Sequence, residues 1–160
     1  MVERNINISY PKSQVVDSVA VIVIEDDQLL VVNHGYNTTL GIGVRGVPGG
    51  HREDGETLEE AAVKELLEET GLETLLEHLV PFKGNFCRQV MGFNGQSMDM
   101  TMTAFICTKY SGQLRPEPNG DTIPEWTTLY AFHYLHETGP NQPQIVFNAQ
   151  QALASGEVRV

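Results

Sequence analysis

Basic residues are scarce. Ten Lys and Arg against 21 Asp and Glu leave the 160-residue chain with a formal net charge of −11. That balance excludes a non-specific electrostatic grip on a nucleic acid polymer or an anionic membrane, since both need clustered positive charge. It also means that an anionic substrate is repelled unless cations and a few local bases reverse the field. Long apolar runs are lacking too: none approaches the roughly 18 residues of a membrane span. The opening MVERNINISYPKSQ has no apolar segment of the signal-peptide kind. Only two cysteines occur, Cys87 and Cys107, both in apolar strand-like runs. They read as single buried thiols in a reducing, cytoplasmic setting, although two adjacent ones could pair. There is no internal repeat and no low-complexity tract.

What is present fits one domain over 1–160, long enough for a sizeable core. Residues 1–14 are polar and predict an irregular arm or an edge strand. Val15 to Ile24 is rich in Val and Ile and reads as a buried strand. A turn at Glu25-Asp26-Asp27-Gln28 returns Leu29 to Val32 as its hairpin partner. A glycine-punctuated loop over 33–44 precedes a short strand at Arg45 to Val47. Strand-like runs follow between Thr74 and Val90, broken at Pro81 and at Lys83-Gly84. Asn94-Gly95 is a hairpin signal, and Ser97 to Tyr110 reads as the returning strand. Residues 111–125 form a Pro- and Gly-rich acidic loop before Trp126. Leu129 to Glu137 and Pro143 to Ala154 look helical, the second with Ile145, Val146, Ala149 and Leu153 at helical spacing. The order predicts an α/β (α+β) fold, a mixed sheet sandwiched between helices.

The most informative stretch is Gly49 to Leu72, GGHREDGETLEEAAVKELLEETGL. A glycine pair and a polar turn lead into a helix. Thr57 with Glu60 makes a capping box at its start, and Gly71 suits a left-handed cap at its end. Glu65, Glu68 and Glu69, at i, i+3 and i+4, share one side. At about 100° per residue they fall in an arc that also holds Leu58 and Ala61, so the acids lie in or beside the apolar stripe. An ordinary amphipathic helix puts its charges opposite that stripe. Crowded carboxylates of this kind suit a hard divalent cation, which takes oxygen ligands.

The spacing Gly50, five residues, Glu56, seven residues, then Lys64-Glu65-Leu66-Leu67-Glu68-Glu69-Thr70-Gly71-Leu72 resembles the signature box of the Nudix hydrolases. One fixed position departs, with Lys64 where the family has Arg. The order of the surrounding elements is similar to the family's α/β/α sandwich with its mixed sheet. The resemblance implies cleavage of a nucleoside diphosphate linked to another moiety, by attack of water on phosphorus with Mg²⁺ or Mn²⁺. Such ions lower the pKa of bound water, screen phosphate oxygens and orient both partners.

Matched position by position, the resemblance makes Glu65 and Glu69 direct metal ligands, with Glu68 close behind. Glu56 becomes an outer ligand, and the Gly49 carbonyl a further one. Lys64 would support a box glutamate with one charge but without the fork of an arginine. The general base comes from Glu68 or Glu69, or from the acidic loop holding Glu117, Asp121 and Glu125, where Asp121 is preferred. Arg45 and Gly50 are candidate substrate contacts. His34, Arg52 and Arg88 are poorer ones. Tyr36, Phe93, Trp126 and Phe132 include rings that could stack on a base, against the alternative of core packing. Glu59 and Glu60 read as solvated helix-start acids.

Residues 86–90, Phe-Cys-Arg-Gln-Val, carry neither the proline of ADP-ribose hydrolases nor the tyrosine of diadenosine polyphosphate hydrolases. The expected substrate is therefore a nucleoside triphosphate or a nucleotide sugar, and a homodimer is an assembly common in the family. Two other readings stay open: a Nudix-fold module that senses a nucleotide without cleaving it, and an isomerase of the isopentenyl diphosphate type. The second needs a cysteine close before the box, and none precedes Cys87.

Overall fold

The computed structural model describes residues 15–35, 44–93 and 96–160. The expected N-terminal arm, Tyr36 and the Asn94-Gly95 turn lie outside these, as does the side chain of Phe93. In chain order, β1 (Val16–Ile22), β2 (Ile24–Glu25), β3 (Gln28–His34), β4 (Arg45–Gly46) and β5 (Gly49–His51) lead to helix α1 (Leu58–Thr70). Next come β6 (Leu72–Glu73), a 3₁₀ turn (Leu76–His78), β7 (Leu79–Val80), β8 (Phe86–Phe93) and β9 (Gln96–Cys107). The chain closes with β10 (Ser111–Gly112), β11 (Thr122–Thr128), α2 (Leu129–Tyr134) and α3 (Gln142–Ala154).

The expected buried first strand is the centre of a mixed sheet. β1 runs antiparallel to β5, with Val19 opposite Gly50, and parallel to β9, with Val19 opposite Thr103. β7 and β8 both pair antiparallel with β9. A second sheet has the order β11-β3-β2, with β4 also on β3. Because side chains alternate along a strand, the unbroken apolar runs Val19–Ile22 of β1 and Ala104–Cys107 of β9 demand cover on both faces. On one face Val19, Val21, Phe105 and Cys107 meet Ala61, Ala62 and Leu66 of α1. On the other, Ala20, Ile22, Met102, Ala104 and Ile106 meet Phe132 of α2 and Ile145, Val146, Ala149 and Ala152 of α3. The sandwich of helices about a mixed sheet is the expected one.

Two differences follow from tertiary pairing. The loop expected over 111–125 is shortened, since Thr122–Glu125 belong to β11, where Glu125 faces Val31 and Pro124 faces Val32. Pro124 is tolerated because β11 is an edge strand, where a missing N–H costs no ladder bond. The run from Thr74 to Val90 contains a 3₁₀ turn and only two strands, the longer opening at Phe86.

Candidate active site

The box helix is fixed at both ends. Thr57 Oγ1 accepts from the Glu60 N–H at 3.1 Å, and Glu60 Oε2 accepts from the Thr57 N–H at 2.9 Å, so the capping box forms as its spacing predicts. Gly71 ends the helix at φ 81°, and its N–H donates to the Leu67 carbonyl. The Arg115 guanidinium donates to that same carbonyl at 3.1 Å, and the Arg115 N–H to the Thr70 carbonyl at 2.9 Å. A cation at the carbonyl end also complements the helix dipole.

α1 then presents its acids to the glycine pair. Glu69 is buried, Glu65 half-buried and Glu68 exposed. Glu69 Oε1 accepts from the Gly49 N–H at 2.7 Å. At Gly50 a Cβ would stand 2.5 Å from the Glu65 carboxyl carbon, so only glycine leaves that carboxylate its place. At Gly49 a Cβ would sit 2.2 Å from the Val19 carbonyl oxygen, which glycine alone permits at this point of the sheet. Burial, followed by the charge of Glu68, pushes the Glu65 pKa from 4.5 to about 7. Burial pushes Glu69 from 4.5 to about 8, against the Gly49 hydrogen bond, which lowers it. Neither forms an ion pair with a base among the described residues.

Glu56 is placed differently. Lys64 Nζ lies 2.7 Å from Glu56 Oε1 and 3.3 Å from Glu53 Oε2. The Lys64 hydrogen bond first, then the Glu53 N–H, hold the Glu56 carboxyl below its ordinary range. Lys64 thus meets Glu56 at a single oxygen, without the two-point fork of an arginine. Arg52 pairs with Asp17 at 2.8 Å and donates to the Glu56 carbonyl at 3.0 Å. Arg88 takes Asp99 in a two-point grip.

The acidic loop separates its three candidates. Glu117 folds back through a bond from its N–H to the Thr122 carbonyl, while the Thr122 hydroxyl donates to Glu117 Oε2 at 3.0 Å. Its charge helps raise both Glu65 and Glu69. Asp121 uses its carbonyl to accept from the Gly35 N–H at 2.7 Å. Glu125 of β11 pairs with Arg45 of β4 at 2.7 Å, both strands lying on β3, so the proposed phosphate contact Arg45 already holds a carboxylate. Sequence order ranked Asp121 above Glu117; the turn that carries Glu117 back was signalled only by Asn119-Gly120.

Among the described residues no three acids, imidazoles or thiols already converge as a closed ligand set. Glu69 is turned to the Gly49 amide and Glu68 stands exposed. The donor chemistry nonetheless fits a hard cation: oxygen atoms only, crowded carboxylates, and a proton affinity raised where a cation could take the proton's place.

On the other side of the glycine pair lies a cleft of about 120 Å³, bordered by Ala20, His34, Val47, Gly50, Met100 and Met102. A larger hollow of about 310 Å³, lined by Leu75, His78 and Lys109, contains none of the box acids. Of the aromatic candidates, Phe132 is fully buried core. Trp126 packs with Tyr110 against the α1 side of the core.

A family model described as the NUDIX domain matches residues 15–149. Solved structures share the fold at low identity. The MutT NUDIX hydrolase from Burkholderia pseudomallei has a TM-score of 0.68 at 15% identity, over 85% of this chain and 98% of that one. The E. coli ORF135 protein has 0.67 at 17%, over 91% and 96%. A bifunctional NMN adenylyltransferase/ADP ribose pyrophosphatase from Francisella tularensis, complexed with AMP and a Mn ion, has 0.61 at 18%, over 89% and 43%. Comparison with curated protein sequences gave no match. The chain belongs to the Nudix family, whose members hydrolyse nucleoside diphosphate derivatives and generally use divalent metal ions.

Proposed function

We propose that this protein is a Mg²⁺- or Mn²⁺-dependent pyrophosphohydrolase that cleaves the diphosphate linkage of a nucleoside triphosphate or nucleotide sugar by attack of water on phosphorus. One observation carries the reading: Glu65 and Glu69 are crowded beneath Gly49-Gly50, pushed to about 7 and about 8, with no base paired to either among the described residues. Glu65, Glu68, Glu69 and the Gly49 carbonyl would hold the cation. A bound divalent ion supplies charge neutralisation for the phosphates and activation of water.

The chain's own residues do the rest. Glu56, steadied by Lys64, braces the turn entering α1 through its bond from the Glu53 N–H at 2.9 Å. Gly50 leaves room for the Glu65 carboxylate. The general base comes from the acidic loop, as Asp121 or as Glu117, whose charge reaches the box acids, or from Glu68 or Glu69 of the box. Gly50 would let substrate approach the backbone closely, and Arg45 would meet a phosphate only by leaving Glu125. The two free cysteines suit a reducing cytoplasm, and no helix among the described residues is long and apolar enough to cross a membrane.

The test is a panel of nucleoside triphosphates, nucleotide sugars and dinucleotides assayed for phosphate or pyrophosphate release. Activity should vanish with chelator and return with Mg²⁺ or Mn²⁺. Nucleotide binding without any turnover would replace the hydrolase with a sensing module.

A further inference from the structure

The cleft behind Gly49-Gly50 has a composition unlike the rest of the site. Among the described residues no Lys, Arg, Asp or Glu lines it. A phosphate entering it would lose water without gaining a counter-charge, which is costly. Ala20, Val47, Met100 and Met102 line it beside the polar Ser18, His51, Gln89 and Gln142, and thioethers pack favourably against flat aromatic rings. At about 120 Å³ it is smaller than the roughly 300–1,000 Å³ of pockets that enclose a whole drug-sized ligand, so it takes one moiety.

One polar group in it is unsatisfied. Both ring nitrogens of His34 are buried and have no hydrogen-bond partner among the described residues. Buried polar atoms in folded proteins are paired with protein, water or ligand almost without exception. The nearby amides are engaged: Gln142 Oε1 accepts from the Val47 N–H at 2.8 Å, and Gln89 Oε1 from Asn141. Burial also holds the His34 pKa below its ordinary value, which favours the neutral ring with one donor and one acceptor.

We infer that this cleft takes the nucleobase of the substrate and that His34 is the specificity-determining residue that hydrogen-bonds to it. The placement of the remaining substrate over the box rests on the hydrolase reading; the occupancy of the cleft does not. Since Gly49 and Gly50 form one wall of the cleft and also touch Glu69 and Glu65, a base held here directs its phosphates toward the acids.

The experiment is a titration of metal-free protein, labelled at the methionine methyls, with adenosine, guanosine, cytidine and uridine, followed by NMR. Ribose and inorganic phosphate serve as controls without a base. At least one nucleoside should shift the Met100 and Met102 methyls while ribose and phosphate do not. His34→Ala should weaken that binding about tenfold, the cost of one hydrogen bond, and His34→Gln should restore part of it. Mn²⁺ binding should be the same in both variants as in the parent, which also verifies folding. The proposal is overturned if no nucleoside shifts these methyls, if ribose or phosphate does so equally, or if neither His34 variant changes the affinity. Absence of turnover of every nucleotide in the panel, with or without Mg²⁺ and Mn²⁺, would instead sink the hydrolase reading and leave the nucleoside result standing.

Discussion

Glu56 and Glu69 belong to the same box and serve the same helix, yet their carboxyls are driven in opposite directions. Glu56, at the entry turn, is met by Lys64 at 2.7 Å and held low. Glu69, one side chain behind the glycine pair, is buried, meets a single amide and rises to about 8. Asp17 with Arg52 and Asp99 with Arg88 follow the first pattern, and Glu65 follows the second. A chain with ten bases for 21 acids has to leave some acids without a partner. Two of these, Glu65 and Glu69, are crowded under the glycine pair, while Lys64 and Arg52 brace the turn beside them.

The largest break in this contrast should come from Glu69→Gln. Removing a metal ligand should lower turnover by roughly 100-fold or more, beyond what outer-shell partners cost. The fold should survive, because an amide oxygen still accepts from the Gly49 N–H. Near-normal turnover would remove Glu69 from the metal site. Next comes Gly50→Ala, whose Cβ would displace the Glu65 carboxylate; Mn²⁺ affinity should fall by about tenfold or more with little loss of stability. Equal Mn²⁺ binding in that variant would detach Glu65 from the cation.

A subtler test uses pH. Glu65 and Glu69 have folded pKa values of about 7 and about 8 against 4.5 for the ordinary group, so the folded protein holds their protons more tightly than the unfolded chain. Their protonated forms therefore stabilise the metal-free protein fully below about pH 4.5, and that contribution is lost as the pH rises through 7 and 8. The melting temperature without metal should fall over this window, Glu69→Gln should flatten the fall, and Mg²⁺ should oppose it most at the alkaline end. A flat profile in the parent would show that the pair is not strained. The smallest effect is expected from Lys64→Arg, which should keep or raise the rate, since a fork can hold Glu56 at two points. A collapse would give the lysine a role of its own.

Much of this was legible in the chain because it is local. The capping box at Thr57 and Glu60, the left-handed Gly71 and the apolar run that buries β1 on both faces each depend on neighbours a few residues away. What could not be read depends on register between distant strands. Glu125 meets Arg45 only because β11 and β4 both lie on β3. Thr122–Glu125 joins a strand despite Pro124 because that strand ends up at an edge. Glu117 is held by Thr122, through the Thr122 hydroxyl and carbonyl, because the turn between them closes. The unsatisfied imidazole of His34 is invisible in any linear pattern, since its surroundings come from β1, β5 and β9.

The contact of Arg115 with the last carbonyls of α1 has a consequence for anyone who would re-engineer this enzyme. Through its own amide and its guanidinium it splints the segment carrying Glu117 to the end of the box helix. Transplanting the loop from another relative without that arginine would let the acid drift from its neighbours even if every box residue were kept. Loop and helix are best exchanged as one cassette.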